Sequence, residues 1–290
     1  MSESRSSGTS RLSGRSVVVT GCTRGFGRVL VGQLADRGAR ALVSSPWPEE
    51  SEQFAAELRE RGAEAVAAPG DVTDPAQVEG LAAAAVEAFG RLDIWVNNAA
   101  ASTPVGRSFD LDPAEFERSI AVNVLGTYYG SRAAMARMLA QGGSGVLVNL
   151  LGRGDDVRAT PHTSPYGASK AWARSFTRSL QAEYRDTGIR IVGFNPGMML
   201  TDMLMAPRVV GEEGERAMGP YPTITRIFGE PPEVAAAALV DALDRPSPPK
   251  SLRLLGPAGI AKHVAGAAGR AVTGRLPEPP AIQVERLDPQ

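Results

Sequence analysis

The chain has 290 residues, and its 31 Lys+Arg against 32 Asp+Glu leave a formal charge of −1, which argues against general binding to nucleic acid. Its single cysteine, Cys22, excludes an internal disulfide framework, and its two distant histidines, His162 and His263, exclude a multi-histidine centre, so no metal site is expected. No apolar run approaches the ~20 residues that a membrane span needs, and the N-terminus lacks the apolar core of a secretory signal. We expect a cytoplasmic protein without an integral membrane segment.

Strand-like and helix-like segments alternate along the chain after residues 1–13, which are rich in Ser, Thr and Arg and are expected to be disordered. Strands are predicted over residues 16–20, 40–44, 65–69, 92–96, 146–151, 189–194 and 252–255. Helices are predicted up to about residue 38 and over residues 49–62, 75–90, 113–139, 164–187 and 231–243. Apolar strands separated by such helices predict an α/β fold with a doubly wound parallel sheet, the Rossmann fold, as a single domain over residues 14–255.

Two segments fall outside this alternation. Residues 198–230 are rich in Met, Gly and Pro and follow a strand end, so we expect a loop that overhangs the carboxyl edge of the sheet as a substrate lid. Residues 256–290 are predicted to form a C-terminal helical extension and a Pro-rich tail. We expect this extension to dock on the same subunit or a neighbour, with a membrane surface as the alternative.

A glycine-rich turn, residues 20–27, lies between the first predicted strand and the first helix, with the spacing G-x-x-x-G-x-G. Glycines permit a tight turn and close approach to a pyrophosphate, and the helix N-terminus behind them supplies free N–H groups. A plain tight turn is the alternative interpretation. The expected dinucleotide contacts here are Gly21, Thr23, Arg24, Gly25, Phe26 and Gly27.

The second predicted strand ends at Ser44 without a carboxylate, where an acidic residue would bind the ribose 2′-hydroxyl of NAD. Arg24 lies in the phosphate turn, where a guanidinium can pair with a 2′-phosphate. Both features favour NADP(H), and Ser44 is included among the expected cofactor contacts. In the alternative, Arg24 is only a solvated turn residue and Glu49 approaches the ribose.

Tyr166 and Lys170 lie one turn apart at the start of a predicted helix. The ordinary pKa of a phenol, near 10, makes it a poor base at neutral pH, but a nearby ammonium group and a cationic nicotinamide ring stabilise the phenolate. Tyr166 is then able to exchange a proton with an alcohol or a forming alkoxide. An ordinary exposed Tyr/Lys pair is the alternative, because Y-x-x-x-K is frequent by chance.

Together these residues resemble the short-chain dehydrogenase/reductase family over about residues 14–255. Further similar motifs are Gly70-Asp71-Val72, Asn97-Asn98-Ala99-Ala100, and Asn195-Pro196-Gly197 with Thr201. The resemblance implies that Asn123 holds a water in the proton relay and that the helices 113–139 and 164–187 associate into a homodimer or homotetramer. It adds as cofactor contacts Asp71, Val72, Asn98, Ala99, Tyr166, Lys170, Pro196, Gly197 and Thr201.

The catalytic serine of that family is missing. Reading along the fifth strand puts Gly152 at its position, and counting back from Tyr166 puts Arg153 there. We expect Ser164 or Thr163 to supply the hydroxyl; the alternatives are N–H donors of Arg153, or lost or altered redox activity. The departure is similar to the chlorophyll b reductase-type branch, which also has a glycine-containing loop here.

The predicted function is NADPH-dependent interconversion of a ketone and a secondary alcohol. Four methionines beside the nicotinamide segment suggest a lipophilic or polycyclic substrate, although they equally fit a cover for the sheet edge. Asp155, Asp156, Arg153 and Arg158 are expected to form a solvated loop face, with selection of polar substituents of the substrate as the alternative. The alternatives are a redox-neutral cyclase, dehydratase or epimerase, and a non-catalytic nucleotide-binding scaffold.

Overall fold

A computed structural model describes residues 10–273, 278 and 280–289 of the protein. Its strands are β1 (Ser16–Val19), β2 (Arg40–Val43), β3 (Ala65–Ala67), β4 (Ile94–Asn97), β5 (Ser144–Leu150), β6 (Gly188–Asn195), β7 (Met198–Met199), β8 (Arg208–Val210), β9 (Gly229–Glu230), β10 (Ser251–Arg253) and β11 (Glu285–Leu287). Its α-helices are α1 (Gly25–Asp36), α2 (Pro48–Glu60), α3 (Pro75–Phe89), α4 (Pro113–Ser119), α5 (Gly126–Ala140), α6 (Ser164–Glu183), α7 (Asp202–Met205), α8 (Gly211–Met218), α9 (Tyr221–Phe228), α10 (Pro232–Leu243) and α11 (Pro257–Val272).

Seven strands form one sheet in the order β10-β6-β5-β4-β1-β2-β3, and every pairing in it is parallel. Side chains of a strand alternate between the two faces. Val17 and Val19 therefore pack with α1, α2 and α10, whereas Val18 packs with α3, α5 and α6. Both faces of the sheet are covered, so the predicted doubly wound α/β fold is confirmed.

The order of strands reverses direction between β1 and β4, because the chain leaves β3 at one edge and returns to the other side of β1. In such sheets, ligands bind in the crevice outside the carboxyl ends of the strands at this switch point. The glycine turn follows β1, Asn98 follows β4, and Gly152 follows β5 after one residue. The fold thus brings three of the predicted motifs to one edge.

The N-terminal segment differs from the prediction of disorder over residues 1–13. Residues 1–9 lie outside the described residues, but residues 11–14 form a turn. Leu12 is fully buried in the core beside α1, and the Ser10 hydroxyl donates to Asp244 Oδ1 at 3.0 Å. The burial of Leu12 orders residues 11–14, although their polar composition predicted disorder.

The predicted long helix over 113–139 contains a π-helical segment, Ile120–Leu125, between α4 and α5. Such single π-helical turns are frequent at functional sites. The segment contains Asn123, whose side chain is buried.

The segment 198–230, predicted as a loop, contains short regular elements. Strands β7 and β9 pair at its base, and α7, α8 and α9 lie between them. The tail adds a strand that the sequence did not predict, because β11 pairs in parallel with β8. Two further main-chain bonds, from Gln283 to Met205 and from Glu285 to Pro207, tie the tail to this segment. Residues 274–277, 279 and 290 of the predicted tail lie outside the described residues.

Candidate active site

The glycine turn is shaped by contacts that only glycine allows. Gly21 and Gly25 have φ of 61° and 55°, a region that disfavours other residues. A Cβ on Gly27 would lie 2.5 Å from Asn98 Nδ2, and one on Gly21 would lie 3.1 Å from Ala99. The turn therefore packs directly against the residues that follow β4, the strand beside β1 in the sheet, and leads into the N-terminus of α1.

Asn98 and Ala99, predicted as cofactor contacts, hold this turn from behind. Asn98 Nδ2 donates to the carbonyl oxygens of Thr20 and Gly21 at 2.8 and 3.0 Å. The backbone N–H of Ala99 donates to Thr20 Oγ1 at 3.1 Å. Phe26 is buried and lies 5.9 Å from the ring of Phe194, so its side chain is part of the core.

The end of β2 contains a buried hydroxyl without a partner. Ser44 is fully buried, and its Oγ makes no hydrogen bond within the described residues. Beside it, Asp71 Oδ1 accepts from the N–H and hydroxyl of Thr73 at 2.9 Å, and Val72 is buried against Gly126. The predicted contacts of Ser44, Asp71 and Val72 with the cofactor stay predictions.

The predicted discriminating residue, Arg24, lies exposed in the turn with its guanidinium 5.2 Å from the ring centre of Trp47. The acidic residue in contact with the turn is Glu50, whose Oε2 accepts from Thr23 Oγ1 at 2.8 Å. Sequence reasoning considered Glu49 instead. Glu49 and Glu50 are neighbours in the first turn of α2, and Glu50 is the carboxylate that contacts the glycine turn.

Tyr166 and Lys170 lie on one face of α6, with Lys170 Nζ 5.6 Å from the centre of the Tyr166 ring. Lys170 is buried and donates to the carbonyl oxygen of Leu150 at 3.1 Å, at the end of β5. Burial lowers the pKa of Lys170 to about 8, against the opposing charge of Asp155. Burial, together with the charge of Asp155, raises the pKa of Tyr166 to about 12. The phenol is therefore held in its protonated form.

Asn123 connects the π-helical segment to α6. Its Oδ1 accepts from the N–H of Ala101 at 2.8 Å, and its Nδ2 lies within bonding distance of Ala101 O, Ser119 Oγ and Ser169 Oγ. Ser169 directly precedes Lys170, so Asn123 helps to hold the helix that carries the pair. Its predicted role with a relay water stays a prediction.

Gly152 lies where the serine was expected. A Cβ on Gly152 would be 3.0 Å from Tyr166 Oη and 3.5 Å from Lys170 Cγ, so a side chain at this position would point at the pair. Arg153, the other candidate position, is exposed. Burial raises the pKa of Tyr221 in α9 to about 12, and the charge of Arg153 opposes this shift.

The hydroxyls predicted to replace the serine have other partners. Ser164 Oγ, at the start of α6, is hydrogen-bonded to Ser108 Oγ. Thr163 Oγ1 lies 3.5 Å from the carbonyl oxygen of Thr160. The role of Ser164 in catalysis stays a prediction.

Asp155 is not on a solvated loop face, as the sequence suggested, but is buried. Arg253 from β10 donates to both of its carboxylate oxygens, Asn195 Nδ2 donates to Oδ2 at 3.1 Å, and Arg174 lies at 4.0 Å. Sequence reasoning missed this cluster, because Asp155 and Arg253 are 98 positions apart. A charged pair so distant in sequence leaves no local signal.

The segment after β6 closes the site on the other side. Gly197, after Pro196, has a φ of 80°, and Thr201 packs 3.9 Å from where a Cβ on Gly25 would lie. Thr201 therefore faces the glycine turn, and its predicted contact with the cofactor stays a prediction. Met198, Met199 and Met205 are partly buried, whereas Met203 is exposed.

A family model described as short chain dehydrogenase matches residues 15–209. The chain belongs to the short-chain dehydrogenase family. Its relatives include the 7alpha-hydroxysteroid dehydrogenase of Escherichia coli (strain K12), 31% identical over 229 residues that cover 79% of this chain and 87% of that protein. A probable chlorophyll(ide) b reductase of Oryza sativa subsp. japonica is 31% identical over 209 residues, 66% of this chain and 42% of that protein.

Among solved structures, a 7 alpha-hydroxysteroid dehydrogenase complexed with NADH and 7-oxo glycochenodeoxycholic acid superposes on this short-chain dehydrogenase with a TM-score of 0.70 and 25% identity, covering 84% of this chain and 93% of that one. The family consists of oxidoreductases that bind a nicotinamide cofactor. The glycine cradle and the unpartnered hydroxyl of Ser44 fit such a group.

Two negative findings apply to the described part of this short-chain dehydrogenase. No helix there combines the length and the apolar character needed to cross a bilayer. No group of three or more His, Cys, Asp and Glu side chains there is placed to share a metal ion.

Proposed function

We propose that the protein is an NADPH-dependent carbonyl reductase that interconverts a ketone and a secondary alcohol. The observation that supports it most is the position of Tyr166 Oη beside Gly152 and Lys170, at the same sheet edge as the glycine turn. A proton donor and a cofactor cradle at one crevice suit carbonyl reduction.

When bound, the cofactor supplies a hydride to the carbonyl carbon. Tyr166 gives its proton to the oxygen as charge develops there, and a phenol with its pKa raised to about 12 is fully protonated and available for this step. Lys170 lies close enough to stabilise the phenolate that remains, and its bond to Leu150 O fixes its position. Asn123 and Ser169 hold the helix in place behind the pair.

The preference for NADP(H) is part of the proposal. Arg24 is exposed in the phosphate turn, and the buried end of β2 has the neutral Ser44 in place of a carboxylate. Glu50 is the opposing feature, because a carboxylate near the turn favours an unphosphorylated ribose. Arg24→Ala is expected to lower kcat/KM for NADPH far more than for NADH, and Glu50→Gln is its control. Equal losses with both cofactors would argue for a turn residue without a selective role.

The proposed substrate is lipophilic or polycyclic. Support comes from the partly buried Met198, Met199 and Met205 and from Phe228, which belongs to the same segment 198–230. Methionines adapt to varied apolar shapes. A panel of cyclic and steroid-like ketones, compared with small polar ketones, tests this preference through kcat/KM.

We also propose that the enzyme is a cytoplasmic homodimer or homotetramer. Tyr128 on α5 is 43% exposed, and the face of α6 beside it carries Trp172 stacked on Phe176 at 4.8 Å. An aromatic face that is partly exposed in this way suits association between copies. Light scattering after size-exclusion chromatography measures the assembly.

The decisive test of the function is Tyr166→Phe, with Tyr184→Phe at the far end of α6 as the control. Loss of a general acid costs about 10²–10⁴-fold, so we expect a loss of kcat in this range with unchanged NADPH binding. Product formed without NADPH consumption would favour a redox-neutral reaction. Tight NADPH binding without turnover on the whole panel would favour a scaffold.

A further inference from the structure

The position opposite Tyr166 lacks a side chain that can donate a hydrogen bond. Gly152 occupies it, and its missing Cβ leaves the backbone itself next to Tyr166 Oη. The hydroxyl of Ser164 is hydrogen-bonded to that of Ser108, and the side chain of Arg153 is exposed. The backbone of this loop offers further N–H donors next to Gly152.

The loop begins with a tight turn, residues 152–155, closed by the Asp155 N–H donating to Gly152 O at 3.1 Å. Gly154 has a φ of 92°, which in the third position of a turn is typical of type II geometry. A Cβ on Gly154 would lie 2.6 Å from Gly167 Cα, in the first turns of α6. Because Gly152 and Gly154 lack side chains, the turn packs directly against the helix that carries Tyr166.

The turn is held rigidly on its inner side. Gly152 O also accepts from Asn195 Nδ2 at 3.3 Å, and Asn195 in turn binds the carboxylate of Asp155. Arg253 completes the charge balance of that carboxylate. A trans peptide points its C=O and N–H in opposite directions, and no cis peptide occurs in the described chain. The N–H of Arg153 is therefore turned away from this buried cluster.

The backbone N–H groups of Gly152, Arg153 and Gly154 find no acceptor within the described residues. Gly152 and Gly154 are nevertheless buried residues. Most buried N–H groups in proteins are paired, and an unpaired one next to a reacting group suggests a ligand that pairs with it. Fixed backbone N–H groups stabilise developing oxyanions in many enzymes, because they need no reorganisation during the reaction.

We propose that the backbone N–H of Arg153, with that of Gly154 beside it, donates to the substrate carbonyl oxygen in place of the missing serine hydroxyl. The proposal rests on the proposed carbonyl reduction and assigns a donor to that same site. Asp155, Asn195 and Arg253 act as positioning residues, because they fix the turn without touching the substrate.

The test removes one backbone N–H without removing the turn. Proline is common at the second position of a type II turn and lacks an N–H, so Arg153→Pro is expected to fold. Arg153→Ala is the matched control, since it loses the guanidinium and keeps the N–H. Loss of one oxyanion donor typically costs about 10²–10³-fold in kcat. We expect kcat of Arg153→Pro to fall by that factor relative to Arg153→Ala, with unchanged NADPH affinity in both.

A second variant replaces Arg153 with lactic acid, which changes the N–H of the alanine control into an ester oxygen. The ester is expected to match Arg153→Pro in kcat, and the deuterium isotope effect from labelled NADPH is expected to rise as the chemical step slows. Circular dichroism and melting temperature, unchanged from Arg153→Ala, would exclude a general folding defect.

Three results would overturn this proposal and leave the proposed carbonyl reduction standing. An ester variant as active as Arg153→Ala would show that the N–H donates nothing. A large loss of kcat in Arg153→Ala would assign the role to the guanidinium, and an equal loss in Ser164→Ala would assign it to that hydroxyl. Tyr166→Phe tells failure of the backbone-donor proposal from failure of the proposed carbonyl reduction, because full activity of Tyr166→Phe would overturn both proposals.

Discussion

Adding one methyl group at Gly152 perturbs the proposed site most directly. In Gly152→Ala the new Cβ would lie 3.0 Å from Tyr166 Oη, whereas ordinary contact begins at 3.4 Å. Gly152 is not among the glycines with positive φ, so the backbone accepts alanine and the contact alone must be relieved. The phenol or the end of β5 must therefore move by about 0.4 Å, close to the ~0.5 Å tolerance of a catalytic constellation.

A displacement of this size has a calculable cost. Because a shift of about 1 Å can cost roughly 100-fold, we expect kcat of Gly152→Ala to fall about tenfold, which corresponds to about 1.4 kcal/mol in the barrier. Overpacking is also expected to lower the unfolding free energy by about 1 kcal/mol. Gly152→Ser causes the same contact but brings a hydroxyl donor, so it is expected to retain more activity than alanine.

Steady-state kinetics with NADPH and a ketone that depends on Tyr166 measures both effects. Gly80→Ala, at a helical glycine with nothing within 4 Å of the added Cβ, is the control and is expected to keep full activity. Wild-type kcat and KM in Gly152→Ala would refute the reasoning, since they would mean that Tyr166 Oη does not depend on the space left by this glycine.

Three other variants test the buried charges of Lys170 and Asp155 and the C-terminal tail. Lys170→Met is expected to abolish turnover and to stabilise the fold below pH 8. Because the pKa of Lys170 falls to about 8 on folding, the wild type gains stability as pH rises from 8 towards 10.5. The difference in unfolding free energy between the variant and the wild type, measured by urea unfolding, should therefore shrink over that pH range. Asp155→Asn leaves Arg253 without its buried carboxylate and is expected to lower the unfolding free energy by about 3 kcal/mol. In the double variant with Arg253→Met, the loss of unfolding free energy is expected to be smaller than the sum of the two single losses. Removing residues 281–290 deletes the strand that pairs with β8, so we expect a higher KM for the ketone and an unchanged Kd for NADPH; an unchanged KM would mean that the tail does not support the lid.

Most of the fold could be predicted from the sequence, because it follows from local periodicity. Apolar runs bounded by glycines predict buried strands, and helices of 12 to 20 residues between them leave few topologies. The prediction failed where long-range contacts decide local structure. Leu12 orders the N-terminal turn by entering the core, and β11 forms only because β8 offers it an edge.

The motifs of the site were equally visible in sequence, since the turn at 20–27 and the spacing of Tyr166 and Lys170 are short-range patterns. The ambiguity between Gly152 and Arg153 was not resolvable there, because counting residues through a loop does not say which one faces the phenol. The tertiary structure decided it by placing Gly152 against Tyr166 Oη.

Two features depended on tertiary structure alone. The burial of Asp155 requires a partner 98 positions away, on the last strand of the sheet. The free N–H groups of residues 152–154 are visible only once every acceptor around them is placed. The sequence by itself therefore determined the fold and predicted the cofactor turn and the proton donor. The tertiary structure decided what stands opposite that donor, because side chains and backbone groups meet there from four separate strands and helices.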